Sequence, residues 1–209
     1  AMLGIEALGI VKHVMPEVEI YLYGSSKKAN VWYPHTELGL IGLHECSSLY
    51  NRATVGLCIS TSNPSRIPFE MMASGLPVVE LYRENTLYDL PDGGVLLCDQ
   101  TPESIAEGLM EVLRSKSKQK SMSTAALAYM SGKSIEQGLE QFRAVFESVL
   151  KDGAGSKYLS PHSRKSYQAD PIVASHYTTT AARTSGKAGR GARKPSFFGP
   201  RLKKAVKNK

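Results

Sequence analysis

The sequence predicts an α/β protein built on a doubly wound parallel sheet, and three observations carry that expectation. Short apolar runs alternate with segments of helical period along most of the chain. Three of those runs, Val55–Ile59, Pro77–Tyr82 and Val95–Cys98, are apolar nearly throughout, as strands covered on both faces must be. Strand followed by helix, repeated, is the pattern of a parallel sheet with helices on either side.

The elements follow in order. Leu3 to Val14 places Ile5, Leu8 and Val11 on one helical face, and Pro16 ends the helix. Val18–Tyr23 is rich in branched and aromatic residues and reads as a strand, closed by Gly24-Ser25-Ser26 and followed by a polar loop through His35. Leu38–Ile41 is a short extended piece, and His44–Ala53 is helical in character. After the run Val55–Ile59 comes a turn-rich loop, Ser60 to Ser65. A short helix spans Arg66 to Ser74, with Ser65 as N-cap and Gly75 beyond its end. Pro77–Tyr82, the turn Asp92-Gly93-Gly94 and Val95–Cys98 supply two more strands. Thr101-Pro102-Glu103 is a helix start, with an N-cap, a proline at the first helical position and an acid near the positive end of the dipole. That helix should run to about Lys116, and two others should follow near Lys118–Met130 and Ser134–Leu150.

Charge divides the chain. Residues 1–150 hold 12 Lys/Arg against 17 Asp/Glu, whereas residues 151–209 hold 14 against 2. The isoelectric point of about 9.3 therefore belongs to the tail, and a basic nucleic-acid-binding domain is not what residues 1–150 describe. Two regions are expected: a domain over 1–150, and a basic low-complexity linker or disordered tail over 151–209. The tail clusters Arg190, Arg193, Lys194, Arg201, Lys203 and Lys204 near Phe197 and Phe198. It reads either as a solvated extension or as a segment held electrostatically to an anionic membrane or nucleic acid. Cys46, Cys58 and Cys98 are unclustered, which argues against a disulfide framework and suits a reducing cytoplasm; Cys58 and Cys98 read as buried small hydrophobes. The five histidines show no metal-ligand spacing, and no metal is expected. No run of about 18 apolar residues is present, so a peripheral place on the inner face of a membrane is the closest expected approach to one.

The chemistry concentrates between Ser60 and Val79. A covered strand empties at its carboxyl end into a polar loop, Ser60-Thr61-Ser62-Asn63-Pro64-Ser65, which opens a helix. The first amides of a helix lack partners within it and attract anions, phosphate above all. Arg66 adds a planar fork suited to phosphate oxygens. Glu70, one turn on, could accept two hydrogen bonds from a sugar diol such as a ribose; alternatively it faces solvent and pairs with Arg66 at i,i+4. Lys27 and Lys28 read as a solvated loop, and Tyr21, Tyr23, Tyr82 and Tyr88 as sheet packing.

The segment Pro68-Phe69-Glu70-Met71-Met72-Ala73-Ser74-Gly75-Leu76-Pro77-Val78-Val79 resembles the C-terminal-domain signature of retaining GT-B glycosyltransferases. Other parts of that pattern occur in order: Leu3–Val14 with Pro16 and Val18–Gly24, Leu49–Ala53 and its following strand, Asp92–Leu97, and Thr101–Ala106. The resemblance covers roughly residues 3–114 and implies a Rossmann-like half of a GT-B fold that binds a nucleoside-diphosphate sugar. It implies that Glu70 holds the ribose and that the Ser65, Arg66 and Ile67 region faces the diphosphate. Gly24, Ser25, Leu40 and Ile41 would line the base pocket.

The sequence departs from the pattern in three places. Ser62 stands where the family carries a first glutamate against the donor sugar. The loop Asn63–Pro68 is similar to that of bacterial rhamnosyltransferases of this fold, which suggests a deoxysugar donor such as dTDP-rhamnose, or another hexose donor. The pattern's opening strand and its N-terminal acceptor domain have no counterpart here. The expected activity is therefore transfer to a polysaccharide or lipid-linked acceptor completed by an N-terminal domain or a second chain. The alternatives are a nucleotide-binding module without turnover and a tail that works through membrane or nucleic-acid association.

Overall fold

A computed structural model of the protein describes residues 2–61, 65–152 and 165–174. In chain order these form α1 (Met2–Val14), β1 (Tyr21–Tyr23), β2 (Thr36–Gly39), α2 (Leu43–Arg52), β3 (Gly56–Leu57) and α3 (Ile67–Ala73). They continue with β4 (Val78–Leu81), α4 (Glu84–Asp89), β5 (Val95–Cys98), α5 (Pro102–Arg114), α6 (Lys116–Met130) and α7 (Ile135–Asp152). Every strand pairing is parallel, as the apolar runs predict. The strands fall into two groups: β1 beside β2, and β3-β4-β5 with β4 central. β1 and β3 are shorter than Val18–Tyr23 and Val55–Ile59, and each has a paired neighbour on one side only.

β4 is the centre of the packing, with all four residues buried. Alternate side chains of a strand point to opposite faces. Val78 accordingly joins a cluster with Met71, Met72, Leu76 and Leu97, whereas Val79 and Leu81 join Ala7, Val11, Ile105 and Leu109. Helices α1 and α5 thus cover one face and α3 the other. Gly108 lets α5 sit directly on β5, since a Cβ there would lie 2.5 Å from Cys98 Sγ. Cys58 and Cys98 are buried, and desolvation pushes the Cys98 thiol up to about 12, so neither is a reactive thiol.

The turn from α3 into β4 shows why the signature reads Ser-Gly-Leu-Pro. Gly75 has φ +71°, and its N–H donates to Met72 O at 2.9 Å while Leu76 N–H donates to Met71 O at 3.0 Å. This pair of bonds is a Schellman motif, which reverses the chain in the left-handed region. Pro77 cannot continue a helix and delivers the chain into β4. At the start of α3, Arg66 occupies the N-cap position in helical geometry, and no side chain caps it. Ser65, the expected N-cap, stands one residue earlier, yet its Oγ still accepts from Ile67 N–H at 3.3 Å. α5 starts as expected, with Thr101 Oγ1 accepting from Ser104 N–H at 3.2 Å. It ends at Arg114 rather than Lys116 because Ser115 caps α6, its Oγ accepting from Lys118 N–H.

Two features were not legible. α4 is a short helix between β4 and β5, where no helix is expected. The basic tail also returns to the sheet. Ile172 forms a parallel bridge with Cys98, its N–H donating to Leu97 O at 2.8 Å and its O accepting from Asp99 N–H at 3.0 Å. Tyr167 is buried, and its hydroxyl accepts from Leu97 N–H at 3.2 Å. Asp92 holds the segment by accepting from the N–H groups of Gln168 and Ala169. Residues 165–174 therefore correct the reading of a structureless tail from 151 onward: they pair with the outer edge of β5, an edge a sheet needs covered. The basic cluster from Arg190 to Lys209 lies outside the described residues. No described helix is long and apolar enough to cross a membrane. The apolar stripe of α7 (Ile135, Leu139, Phe142, Phe146) has the expected helical period and is exposed, with the rings of Phe142 and Phe146 stacked at 6.2 Å.

Two measurements check this packing. Gly75→Ala forces an L-residue into the left-handed region, at about 1–2 kcal/mol, and brings its Cβ to 3.0 Å from Ser123 Oγ; chemical denaturation should show at least that loss. His35 donates to Tyr33 O, which raises its pKa above 6.5, with Glu37 contributing further. A raised folded value gives stability that is full below the unfolded pKa and lost as pH rises through the folded one. Proton titration by NMR should place His35 above 6.5, and His35→Gln should flatten that part of the stability–pH curve.

Candidate functional site

Of the candidate residues expected from the sequence, those that the structure describes follow the carboxyl ends of β1, β2 and β3, in two groups. The first follows β1 and β2. Gly24 takes φ +93° and donates its N–H to Gly39 O at 2.7 Å, while Gly39 itself has φ +68°. A Cβ at Gly39 would lie 3.9 Å from Ser25 O, so the two strand ends meet here. Leu40 is 72% exposed, and Ile41 is partly buried beside it. Ser25 Oγ is engaged locally, accepting from Lys27 N–H and donating to Lys27 O, each at 3.0 Å. It shapes the turn that presents Lys27 and Lys28, both exposed.

The second group follows β3. Beyond Leu57 the chain runs through Cys58 and Ile59 to Ser60, where it meets a buried carboxylate. Glu80, in the middle of β4, is fully buried. Its Oε1 accepts from Ser60 N–H at 2.8 Å and from Leu81 N–H at 2.8 Å, and its Oε2 accepts from Ser60 Oγ at 2.6 Å. A buried carboxylate is tolerated only with such donors. The arrangement fastens the root of the Ser60–Arg66 loop to the central strand. Ser62 and Asn63 lie outside the described residues. Ser65 then bonds Ile67, and Arg66 and Glu70 follow, both exposed.

Among the described residues no ion pair joins Arg66 to Glu70. The i,i+4 pairing that the sequence left open is not formed, and both side chains project into solvent one helical turn apart. Glu70 O and Arg66 O are occupied within the helix, accepting from Ser74 and Glu70 N–H.

A pair of tyrosines stands between the two groups. Tyr23, the last residue of β1, and Tyr50, buried in α2, place their hydroxyls 2.7 Å apart with rings edge to face. Burial pushes both hydroxyls upward, and the nearby Glu70 carboxylate adds to the rise, so both stay neutral. Tyr23 was expected as sheet packing; it also ties the end of β1 to α2 close to Glu70. Sequence reasoning missed Glu80 and Tyr50. For Glu80 a signal existed, since a carboxylate inside a covered strand must find buried donors. Tyr50 lies in the Leu49–Ala53 stretch that matches the family pattern, but nothing local in the sequence names Tyr23 as its partner.

Comparisons with known proteins agree with this architecture. Residues 1–110 match the family described as WsaF, C-terminal domain. The O-antigen biosynthesis protein RfbC of Myxococcus xanthus is 29% identical over 163 residues, which are 73% of this chain and 12% of that protein. A crystal structure of a protein assigned as a UDP-N-acetylglucosamine 2-epimerase from Listeria monocytogenes superposes with a TM-score of 0.51 at 12% identity. It covers 80% of this chain and 43% of that one. The latter likeness is one of fold, a Rossmann-like α/β half. The chain spans a small part of the curated relative and less than half of the structural one.

Glu80→Ala would leave the buried N–H groups of Ser60 and Leu81 without their acceptor. A loss of about 1–3 kcal/mol is expected for a buried unsatisfied donor, measured by urea denaturation, with the Ser60 amide exchanging faster than the rest of the sheet.

Proposed function

The chain belongs to the WsaF C-terminal-domain family, and from that premise we propose that it is the nucleotide-sugar-binding domain of a glycosyltransferase that builds a polysaccharide. The observation that carries this reading is that Arg66 and Glu70 are exposed one helical turn apart at the start of α3, with no ion pair between them among the described residues. Ligands of open α/β sheets sit at the carboxyl ends of the strands. A nucleoside diphosphate needs a cation for its phosphates and an acceptor for its ribose hydroxyls, and this pair supplies one of each.

In this reading Arg66 forks onto diphosphate oxygens, with the Ile67 and Ser65 region beside it, and Glu70 accepts from the two ribose hydroxyls. Gly24, Ser25, Leu40 and Ile41 form the wall against which the base rests; the space beside Gly24 is open, and its φ of +93° is the reason a glycine stands there. As the bond between sugar and diphosphate breaks, negative charge grows on the leaving group. Arg66 is then worth more than in the ground state, which is how a fixed cation accelerates the step. The pair needs no metal for this role.

Ser62 in place of the family's first glutamate would put one short hydroxyl where a longer, two-oxygen carboxylate acceptor would face the donor sugar. That favours a sugar poorer in hydroxyls, a deoxyhexose such as the rhamnose of dTDP-rhamnose, over other hexose donors. The glycan or lipid-linked acceptor would be held by a further domain or chain. RfbC is named for O-antigen biosynthesis, a polysaccharide product of the kind proposed.

Isothermal titration with UDP, dTDP and GDP, each with and without magnesium, tests the proposal. One diphosphate should bind at equal affinity in both conditions. Glu70→Ala and Arg66→Ala should each weaken it by about 1.5–3 kcal/mol, roughly ten- to a hundredfold, the range for hydrogen bonds to charged groups. Binding unchanged in both variants would overturn the site, and turnover of a bound donor would separate an enzyme from a nucleotide-binding module.

A further inference from the structure

Cys98 of β5 faces β4, where its O accepts from Tyr82 N–H at 2.8 Å. Backbone groups of a strand alternate between its two edges, so Leu97 and Asp99 face outward. Residues 165–174 satisfy them. Leu97 N–H donates to the Tyr167 hydroxyl at 3.2 Å, Leu97 O accepts from Ile172 N–H at 2.8 Å, and Asp99 N–H donates to Ile172 O at 3.0 Å. The segment also straddles the sheet edge. Tyr167 joins the apolar cluster on one face, its ring edge to face with Tyr82, whereas Ile172 packs against the cluster on the other face.

Two properties mark the segment as a ligand of the edge. The first is that its binding surface is one short stretch of chain. Among the described residues, every hydrogen bond and ion pair that it makes outside itself runs to residues 84–104, with the Asp92 carboxylate accepting from the amides of Gln168 and Ala169. The second is that six of its ten residues are exposed. The contacts of Tyr167, Ile172 and Ala174 must therefore offset most of the entropy lost by ordering all ten. An element so placed opens locally before the domain unfolds. Opening bares the run Val95-Leu96-Leu97-Cys98, which carries neither charge nor proline, and such an edge pairs readily with another chain.

We propose that the outer edge of β5 is a strand-docking site, that residues 165–174 are its detachable ligand, and that it accepts this same segment from a second copy of the chain. Exchange of an identical element between copies re-forms every bond of the closed arrangement, so it loses no contacts. Within one chain the tether favours the chain's own segment. The exchanged form gains as concentration rises or as the chain's own segment is weakened.

The test mixes two full-length variants. One carries Tyr167→Ala with Ile172→Pro, which disables its segment and leaves its edge intact. The other carries Asp92→Ala, which loosens its own edge and leaves its segment intact. Sedimentation of the mixture should show a 1:1 complex. With only the first variant isotope-labelled, its Leu97 and Asp99 amides should exchange at least about tenfold more slowly in the mixture than alone. Unchanged exchange at these amides and no complex would overturn the proposal. So would a dimer of the first variant alone that protects Leu97 and Asp99, since bare edges would then pair without the segment. Protection at Val79 and Leu81 of β4 reports that the fold is intact. If the double variant loses it, Ile172→Pro alone, which removes the N–H donated to Leu97 O, takes its place in the same mixture.

Discussion

The hydrogen bonds from Ser60 and Leu81 to the Glu80 carboxylate are the interaction on which the candidate site depends. β4 has no exposed residue, so a charge within it is tolerated only where donors replace the water it has lost. Two of its three bonds come from Ser60, twenty residues earlier, at the point where the chain leaves β3. The cost of burying the charge is thereby turned into a positional constraint. If Ser60 moves, Glu80 loses both an amide and a hydroxyl donor. The chain therefore leaves β3 at a point fastened to β4, and α3 returns to β4 through Gly75 and the turn after it.

What was legible in the sequence is what local pattern determines. The runs at Pro77–Tyr82 and Val95–Cys98 announce covered strands because nearly every residue in them is apolar. Gly75 and Pro77 announce a helix end followed by a strand because each restricts φ in one way. Thr101-Pro102-Glu103 announces a helix start through its own hydrogen bond. α4 was illegible for the opposite reason: with six residues it spans less than two turns and cannot display a helical period. Its Thr86 is instead held to the end of the strand just before it, with its hydroxyl 2.8 Å from Leu81 O.

Residues 165–174 were hidden by their surroundings. Their composition is that of the polar tail around them, with Tyr167, Ile172 and Val173 the main apolar side chains. Their order comes from what they meet: the outer edge of β5, a slot for one tyrosine, and the Asp92 carboxylate. Edge pairing is a contact between backbones, and backbone groups leave no mark in a sequence. The same limit applies to Glu80. Its position in an apolar run marks it as unusual, but nothing local names Ser60 as its partner. The candidate ligand residues lie between these cases. Arg66 and Glu70 were legible as residues one helical turn apart, and both are exposed with no ion pair between them among the described residues.

Charge distribution adds one further constraint on any anionic ligand. The domain as a whole is acidic, with 17 Asp/Glu against 12 Lys/Arg over residues 1–150, so its long-range field opposes a diphosphate. Attraction must come from cations close enough to act inside the screening length, about 8–10 Å at ordinary salt. Arg66 at the end of β3 is such a cation, and Lys27 and Lys28 are exposed on the loop after β1. The remaining cations of residues 1–150 are spread over the helices, among them Lys12 of α1, Arg52 of α2 and Lys116, Lys118 and Lys120 of α6, so net charge alone does not select one end of the sheet and a local cation such as Arg66 has to do so.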